Sequence, residues 1–162
     1  SGVTKKEETL ADGAATVAAL SAAVTAMDDE EVTATGRYLF ITPTLLQGIN
    51  DMDTTKSKKV LEGFEQVIKV PQRRFYTAIK QLSGKTGEEA GGYTKATGAA
   101  NINFAIVQKD ALIQYTKHAA PKIIAPENNP DADAYVFGYR MVGIAKAYKN
   151  MLSGMYFSHD KA

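Results

Sequence analysis

The sequence predicts an α+β fold in which a mixed β-sheet is covered by a long N-terminal helix and several short helices. Residues 38–42 form an uncharged run of aromatic, aliphatic and β-branched side chains, which is typical of a strand buried on both faces. Residues 5–27 carry apolar side chains at three- and four-residue spacing, which predicts a helix. Residues 102–107 form a second strongly apolar run, the expected neighbour of the first strand.

The composition limits the classes of protein to which the chain can belong. Its 162 residues predict one domain, spanning residues 3–160, and a chain of this size buries about 68–70% of its unfolded surface. The sequence has no cysteine, which excludes disulfides and thiolate chemistry. Nineteen basic and eighteen acidic residues leave a net charge of +1, which argues against strong electrostatic attraction to nucleic acid or membranes.

The ends of the chain and its hydropathy carry two further expectations. No apolar run approaches the ~20 residues that span a bilayer, and the N-terminus lacks a signal-peptide pattern, so no membrane partner is expected. Ser1-Gly2 resembles the remnant of a protease site from expression, because an initiator methionine is absent. We therefore expect residues 1–2 to be foreign and the chain to be a piece of a longer protein.

The N-terminal helix is expected to lie close to the sheet, because eight alanines fall between residues 11 and 26. Gly13 costs this helix about 1 kcal/mol relative to alanine. Four consecutive acids at residues 28–31 are unfavourable at the negative end of a helix dipole. The helix is therefore predicted to end at Met27, with Asp28 capping a short turn. Metal binding is the alternative for these acids, although adjacent carboxylates on one turn are usually solvated.

Short elements are predicted between the two buried strands. Thr42 and Pro43 predict the N-cap and first residue of a short helix over residues 43–50, followed by a polar loop at 51–57. The side chains of residues 64–70 alternate between two faces as in a half-buried strand, and Pro71 ends this strand. A solvated basic cluster comprises Lys56, Lys58 and Lys59.

The next segment is predicted to change from helix to loop. Residues 75–82 predict a short amphipathic helix. Residues 83–101 contain five glycines and no aliphatic side chain larger than alanine, which predicts a flexible surface loop. A connection of this length is usually either functional or disordered.

The chain becomes rich in strands after residue 102. Residues 135–147 alternate large with small or polar side chains, as in a strand with one half-exposed face. The other predicted elements are a helical turn at 109–113, an extended segment at 115–124 broken by Pro121, turns at 126–131 and 150–153, and a closing strand at 154–158.

One motif resembles the end of a phosphate-binding loop and fails on its spacing. Residues 83–86 read Ser-Gly-Lys-Thr, but the motif requires a glycine separated by four residues from the Gly-Lys pair, and that position is Ile79. The motif also needs a preceding strand and a following helix, whereas a helix and a loop are predicted here.

The metal-binding and catalytic patterns in the sequence are also incomplete. Asn129, Asp131 and Asp133 have the spacing that opens a calcium loop, but its sixth and twelfth positions are Ala134 and Arg140 instead of glycine and glutamate. The two histidines, His118 and His159, lack patterned partners for zinc, and no Gly-x-Ser-x-Gly elbow exists. The sequence therefore nominates no catalytic, cofactor-binding or metal-binding residue, and no cofactor.

Aromatic residues near arginines suggest a further possibility. Such a set could stack on nucleic-acid bases, but the interpretation favoured by the sequence is core and cross-strand packing. The aromatic residues are Phe75, Tyr76, Tyr135, Phe137 and Tyr139, and the arginines are Arg73, Arg74 and Arg140.

Several blocks of the sequence resemble the major capsid proteins of tailed bacteriophages. Residues 28–32 and 35–43 are similar to a signature of that family, in which an acidic turn precedes Gly-Arg, a hydrophobic strand, Thr/Ser-Pro and a helix. Similar blocks follow in the family's order at residues 70–77, 102–124, 131–140 and 149–156.

The resemblance implies the Hong Kong 97-type capsid fold, in which a sheet-centred axial domain joins a peripheral domain with a long helix and long strands. It implies a non-enzymatic subunit that self-assembles into an icosahedral shell around packaged DNA, without sequence-specific contact to the DNA. The family's N-terminal arm and extended loop would precede residue 1, and residues 83–101 match no part of the family. The chain is thus expected to be a C-terminal portion, and a monomer or weak oligomer by itself.

The resemblance also implies where and with what the chain acts. The expected location is the virion, assembled in the cytoplasm of the bacterial host, with scaffold or portal proteins as further partners. We expect residues 83–101 and 135–147 to lie at subunit contacts, because repeated assembly uses heterologous edges. Two alternatives remain open: a small α+β enzyme or ligand-binding domain, and an encapsulin-type compartment shell, which shares the fold.

Overall fold

The computed structural model describes residues 2–129 and 133–161. These residues form two compact units, one from the described parts of 1–111 and 149–162, and the other from Leu112–Tyr148. The long strands of the second unit pair with each other, and the single domain that the sequence predicts over 3–160 stays a prediction. Ser1 of the predicted expression remnant lies outside the described residues.

The chain is a mixed α+β protein, as the sequence predicts. The helices are α1 (Gly13–Asp29), α2 (Pro43–Asp51) and α3 (Thr55–Glu62). The strands are β1 (Thr4–Glu7), β2 (Arg37–Ile41), β3 (Gln66–Lys69), β4 (Ile79–Gln81), β5 (Tyr93–Lys95), β6 (Ile102–Gln108), β7 (Leu112–Ile124), β8 (Val136–Ala147) and β9 (Met155–His159). Short 3₁₀ turns occupy Gln72–Arg74, Lys109–Ala111, Pro126–Asn128 and Lys149–Gly154.

A five-stranded mixed sheet in the order β1-β9-β6-β2-β3 forms the centre of the first unit. β6 runs antiparallel to both β2 and β9, whereas β2 pairs with β3, and β1 with β9, in parallel. The predicted pairing of the two apolar runs is confirmed, with Leu39 opposite Ile106. β6 is buried along its whole length, as expected of a central strand.

The prediction that β2 is buried on both faces is wrong in part. Leu39 and Ile41 are fully buried, but Tyr38 and Phe40 on the other face are only half-buried. Helix α1 covers the buried face of β2, since Val17, Leu20, Ala23 and Met27 of α1 belong to one hydrophobic core with Leu39, Ile41, Phe104 and Ile106 of the sheet.

The predicted start of α1 is wrong. Residues 4–7 form β1, with Thr4 opposite Tyr156 of β9, so pairing with a distant strand overrides the helical pattern. The helix begins at Gly13, where Asp12 is the N-cap and accepts a hydrogen bond from the Ala15 N–H at 2.8 Å. At the other end α1 continues to Asp29, so Asp28 lies in its last turn and does not cap a new one.

Helix α2 forms where the sequence predicts it, and α3 is a helix that the sequence does not predict. Thr42 is the N-cap residue of α2, Pro43 is in its first turn, and Leu46 and Ile49 are buried. The predicted polar loop at 51–57 contains the start of α3, which opens with a capping box between Thr54 and Ser57. The three lysines of the predicted basic cluster are exposed, and Lys58 pairs with Asp53 at 2.6 Å.

The predicted helix at 75–82 is wrong, and the predicted loop at 83–101 contains a strand. Ile79–Gln81 pairs antiparallel with Tyr93–Lys95, and Tyr76 forms a bridge with Asn101. Backbone N–H and C=O groups that a helix would pair internally are therefore paired with a later segment of the chain. The flexibility of residues 83–101 stays a prediction.

The second unit is a two-stranded antiparallel ribbon of β7 and β8. The predicted break at Pro121 is wrong, since β7 continues through it opposite Tyr139. Proline is tolerated in a strand that has a free edge, because its missing N–H can face away from the partner strand.

Gly13→Ala is expected to lower the free energy of unfolding by about 1–3 kcal/mol, the usual cost of overpacking. A Cβ at this position would meet the backbone carbonyl of Gly48 in α2, which cannot rotate away. Urea unfolding measures the loss. Gly63→Ala is the matched control: a Cβ there lies 3.7 Å from the carbonyl oxygen of Val60, and Gly63 has φ −71°. An equal loss in both variants would contradict the close helix contact.

Candidate assembly surface

The β7–β8 ribbon presents large apolar side chains to solvent on both faces. Phe137 and Tyr139 are 74% and 70% exposed, and Tyr115 and Ile123 are 64% and 65% exposed. Twelve residues of extended strand span about 40 Å at ~3.3 Å per residue. Contiguous apolar surface of this kind usually marks a contact with another macromolecule.

The two faces of the ribbon differ in charge. Residues directly opposite each other in an antiparallel pair share a face, and alternate residues along a strand change face. One face, here called the uncharged face, has no ionisable side chain among its paired residues other than the Tyr139 phenol; Lys117 lies in the register shift between Thr116 and His118 and has no partner position on β8. It is formed by Leu112, Gln114, Thr116, Ala119, Pro121 and Ile123 of β7 with Phe137, Tyr139, Met141, Gly143, Ala145 and Ala147 of β8.

The opposite face, here called the basic face, carries cations between apolar residues. Lys122 of β7 lies opposite Gly138, and Arg140 and Lys146 lie on β8. Neither strand contains an aspartate or glutamate, and within the described residues these three cations make no ion pair. His118 is on this face opposite Val142, next to a register shift after Thr116.

For the aromatic residues of the ribbon, the sequence interpretation is wrong about core packing, because they are exposed, and right about cross-strand placement, because Phe137 lies opposite Ile123 and Tyr139 opposite Pro121. Tyr135 is 61% exposed, and its ring lies 6.2 Å from that of Phe137 with an interplanar angle of 23°. Phe75 and Tyr76 belong to the other unit and are half-buried, with the Lys95 ammonium 5.6 Å from the centre of the Tyr76 ring. Arg73 and Arg74 are exposed there.

The acidic stretch and the Gly-Arg pair of the sequence signature meet in one partly buried contact between Asp28 and Arg37. The Arg37 side chain is 2% exposed, and its guanidinium lies 2.6 Å from a carboxylate oxygen of Asp28. It also donates to the backbone carbonyls of Val32 and Thr33. Arg37 therefore fixes the turn after α1 to the start of β2.

A polar junction that sequence reasoning missed joins the N-terminal segment to the sheet. The Ser158 hydroxyl donates to the Glu8 carboxylate at 2.6 Å, and the Asn103 amide donates to the Glu8 carbonyl at 3.0 Å. Ser158 and Asn103 are buried. The partners lie 150 and 95 residues apart in sequence, and no local pattern links them.

The hairpin of β4 and β5 encloses the Ser-Gly-Lys-Thr segment. The Glu88 carboxylate accepts the Ser83 N–H at 2.8 Å and lies 2.7 Å from the Lys80 ammonium. The Gly87 N–H donates to Glu89 at 2.7 Å. Carboxylates thus occupy two backbone donors of the kind that a phosphate-binding loop would use.

We expect the pKa of Glu88 to lie below its ordinary value of 4.5, because Lys80 and the Ser83 N–H stabilise the carboxylate. A depressed folded-state pKa means that Glu88 stabilises the hairpin above its unfolded pKa, and that this contribution is lost as pH falls through the folded value. The Ser83 amide proton shift should report this titration in NMR spectra. Lys80→Ala should raise the midpoint, and Lys85→Ala should not; the same midpoint in both variants would contradict the assignment.

Other candidate sites from the sequence are not brought together. His118 belongs to the ribbon, while His159 is in β9 with its Nδ1 2.8 Å from the Asp160 carbonyl. Of the calcium-like triplet, Asp131 lies outside the described residues, and the Asn129 amide donates to the Ala134 carbonyl at 2.8 Å. Among residues 2–129 and 133–161, no cluster of three or more potential metal ligands occurs.

A groove of about 380 Å³ lies at the edge of the first unit. Tyr76, Ile102 and Phe157 give it a largely apolar lining, and Lys5 and His159 contribute an ammonium and an imidazole. In the part of the chain that the structure describes, no helix is long and apolar enough to cross a membrane.

Two solved phage structures are similar to the chain. One, from Mycobacterium phage Che8, has a TM-score of 0.55 at 8% sequence identity and covers 97% of this chain and 53% of that chain. The other, the capsid structure of the Cyanophage P-SCSP1u, has a TM-score of 0.56 at 17% identity and covers 99% of this chain and 54% of that one. No protein-family model and no curated protein matches the sequence.

These similarities define the class of fold. The chain has a phage capsid-like α+β fold with a mixed sheet, and it spans about half the length of each of the two phage chains.

Proposed function

We propose that this chain is part of a major capsid protein of a tailed bacteriophage, with the Hong Kong 97-type arrangement that the sequence signature implies. Its role is structural: copies associate into an icosahedral shell around packaged DNA, without sequence-specific contact. The proposed location is the virion, with assembly in the host cytoplasm and scaffold or portal proteins as additional partners.

The observation that carries this proposal is the exposed ribbon in a chain with a capsid-like fold. Burying Phe137 alone in a contact would contribute about 1.5–3 kcal/mol. A soluble protein that leaves several such side chains in water gains that energy only when a neighbour covers them. The uncharged face of the ribbon is therefore the proposed subunit contact, which agrees with the expectation for residues 135–147.

The size of this face accounts for the expected weak association of the isolated chain. A ribbon about 40 Å long and about 10 Å wide offers roughly 400 Å² per face. Stable interfaces bury about 800 Å² per partner. One face thus gives weak contacts, and a closed shell gains stability from repeating such contacts by symmetry.

Electron microscopy of the complete gene product tests the proposal. We expect closed icosahedral particles whose repeating unit contains the five-stranded sheet. A product that stays monomeric and forms no particle under any packaging condition would overturn it. An encapsulin-type compartment would also form particles, and the neighbouring genes distinguish it, since a phage shell is encoded beside portal and packaging genes.

The groove beside Tyr76 and His159 favours a second candidate, a small ligand-binding or enzymatic domain. Its volume of about 380 Å³ lies within the range of small-molecule sites. Native mass spectrometry of protein purified from its source would show a bound small molecule if this candidate were right.

A further inference from the structure

The ribbon has two unpaired strand edges, and they differ in accessibility. The outer edge of β7 contains Pro121, which lacks an N–H, and a register shift between Thr116 and His118. The outer edge of β8 has neither, because its twelve residues contain no proline and pair in unbroken succession. β8 therefore offers a continuous row of backbone donors and acceptors.

The outer strands of the five-stranded sheet are protected in the usual way. β1 has four residues, three of which are charged, and β3 has four residues, ends at Lys69 and is followed shortly by Pro71. Short length, lysine and proline are the common means by which edge strands avoid pairing with other chains. Among the described strands, β8 combines a free edge with great length and no proline, and its one lysine, Lys146, is the penultimate residue of the strand.

The geometry of the β7–β8 ladder shows which backbone N–H groups of β8 point outward, away from β7. Proline is accommodated in a ladder when its nitrogen faces away from the neighbouring strand, so the nitrogen of Pro121 lies on the outer edge of β7. Its partner Tyr139 then directs its own N–H outward from β8. By alternation, the N–H groups of Met141, Gly143 and Ala145 also face outward, and their side chains lie on the uncharged face.

We propose that the outer edge of β8 pairs antiparallel with β8 of a second copy of the chain, which makes one four-stranded sheet from two ribbons. This rests on the proposed function and names the partner of the same surface. Among the described residues, β8 itself is the strand of matching length whose free edge is unblocked, because the free edge of β7 carries Pro121 and the register shift. A two-fold axis perpendicular to the sheet puts both uncharged faces on one side. The joined face measures about 800 Å², the per-partner area of a stable interface.

Sedimentation of the purified chain over a concentration series up to about 1 mM tests the pairing. We expect a weak dimer. Ala145→Pro removes an outward N–H of β8 and is expected to weaken dimerisation by about tenfold or more. Ala119→Pro is the matched control, because it removes an outward N–H from the edge of β7 that Pro121 already blocks. Its dimerisation constant should stay within about twofold of the original.

Hydrogen–deuterium exchange gives a second readout that needs no variant. On raising the concentration, amides of β8 should gain protection and those of β7 should not. Absence of a dimer at about 1 mM, a dimer without protection of β8, or equal loss in both proline variants would each overturn the pairing. Protection of β8 already present in the monomer would assign the edge to another part of the same polypeptide and would also overturn it. Particle formation by the complete gene product is judged separately by microscopy.

Discussion

Arg37→Ala is expected to lower the free energy of unfolding by about 2–5 kcal/mol, because two backbone carbonyls each lose a charged donor at a cost of about 1–3 kcal/mol. Arg37 is 2% exposed and satisfies the carbonyls of Val32 and Thr33 as well as the carboxylate of Asp28. Its removal leaves two carbonyls without their donor and a cavity beneath the turn. Chemical denaturation of the purified variant measures the loss.

Asp28→Asn provides the graded control. The Asp28 side chain is 55% exposed, so water screens its charge, and asparagine keeps an oxygen that can accept from Arg37. We expect a loss of about 1 kcal/mol or less. If Arg37→Ala were as mild as Asp28→Asn, Arg37 would not be the residue that fixes the turn to β2.

Replacing Phe137 and Tyr139 together by serine is expected to abolish assembly while leaving the fold intact. Both side chains are mostly in solvent, so unfolding should change by no more than about 0.5 kcal/mol. At a subunit contact the two rings would contribute about 3–6 kcal/mol per contact, so the association constant should fall more than about a hundredfold. Particle yield by light scattering and microscopy measures the effect.

The opposite face of the ribbon supplies the matched control. Tyr115 and Ile144 lie opposite each other on the basic face and are 64% and 45% exposed. Changing both to serine removes a similar exposed apolar pair, and we expect assembly to continue. If both double variants lost assembly equally, the uncharged face would have no special role; if neither did, the ribbon would lie outside the contacts.

The central sheet could be predicted because its signals are local. The uncharged run before Pro43 and the apolar run from Ile102 identify two buried strands, and α2 follows directly from the Thr-Pro pair. Elements decided by distant pairing could not be predicted in this way. β1 has a helix-compatible sequence and becomes a strand because β9 lies beside it, and β4 exists because of β5.

The sequence predicts the strand that carries the candidate surface but does not predict that this surface is exposed. Alternation over residues 135–147 predicts the strand. The sequence does not show that Phe137 and Tyr139 stay exposed within the described chain. One signal could have found the two faces: on β8 the cations Arg140 and Lys146 occupy even positions, while the aromatic rings occupy odd ones. Strand period then separates charge from apolar surface.

A cryo-electron microscopy reconstruction of particles from the complete gene product tests the central claim most directly. We predict a closed shell in which the uncharged face of every ribbon is covered by a neighbouring subunit. A shell in which Phe137, Tyr139 and Met141 face only solvent, or a gene product that never leaves the monomeric state, would contradict the account.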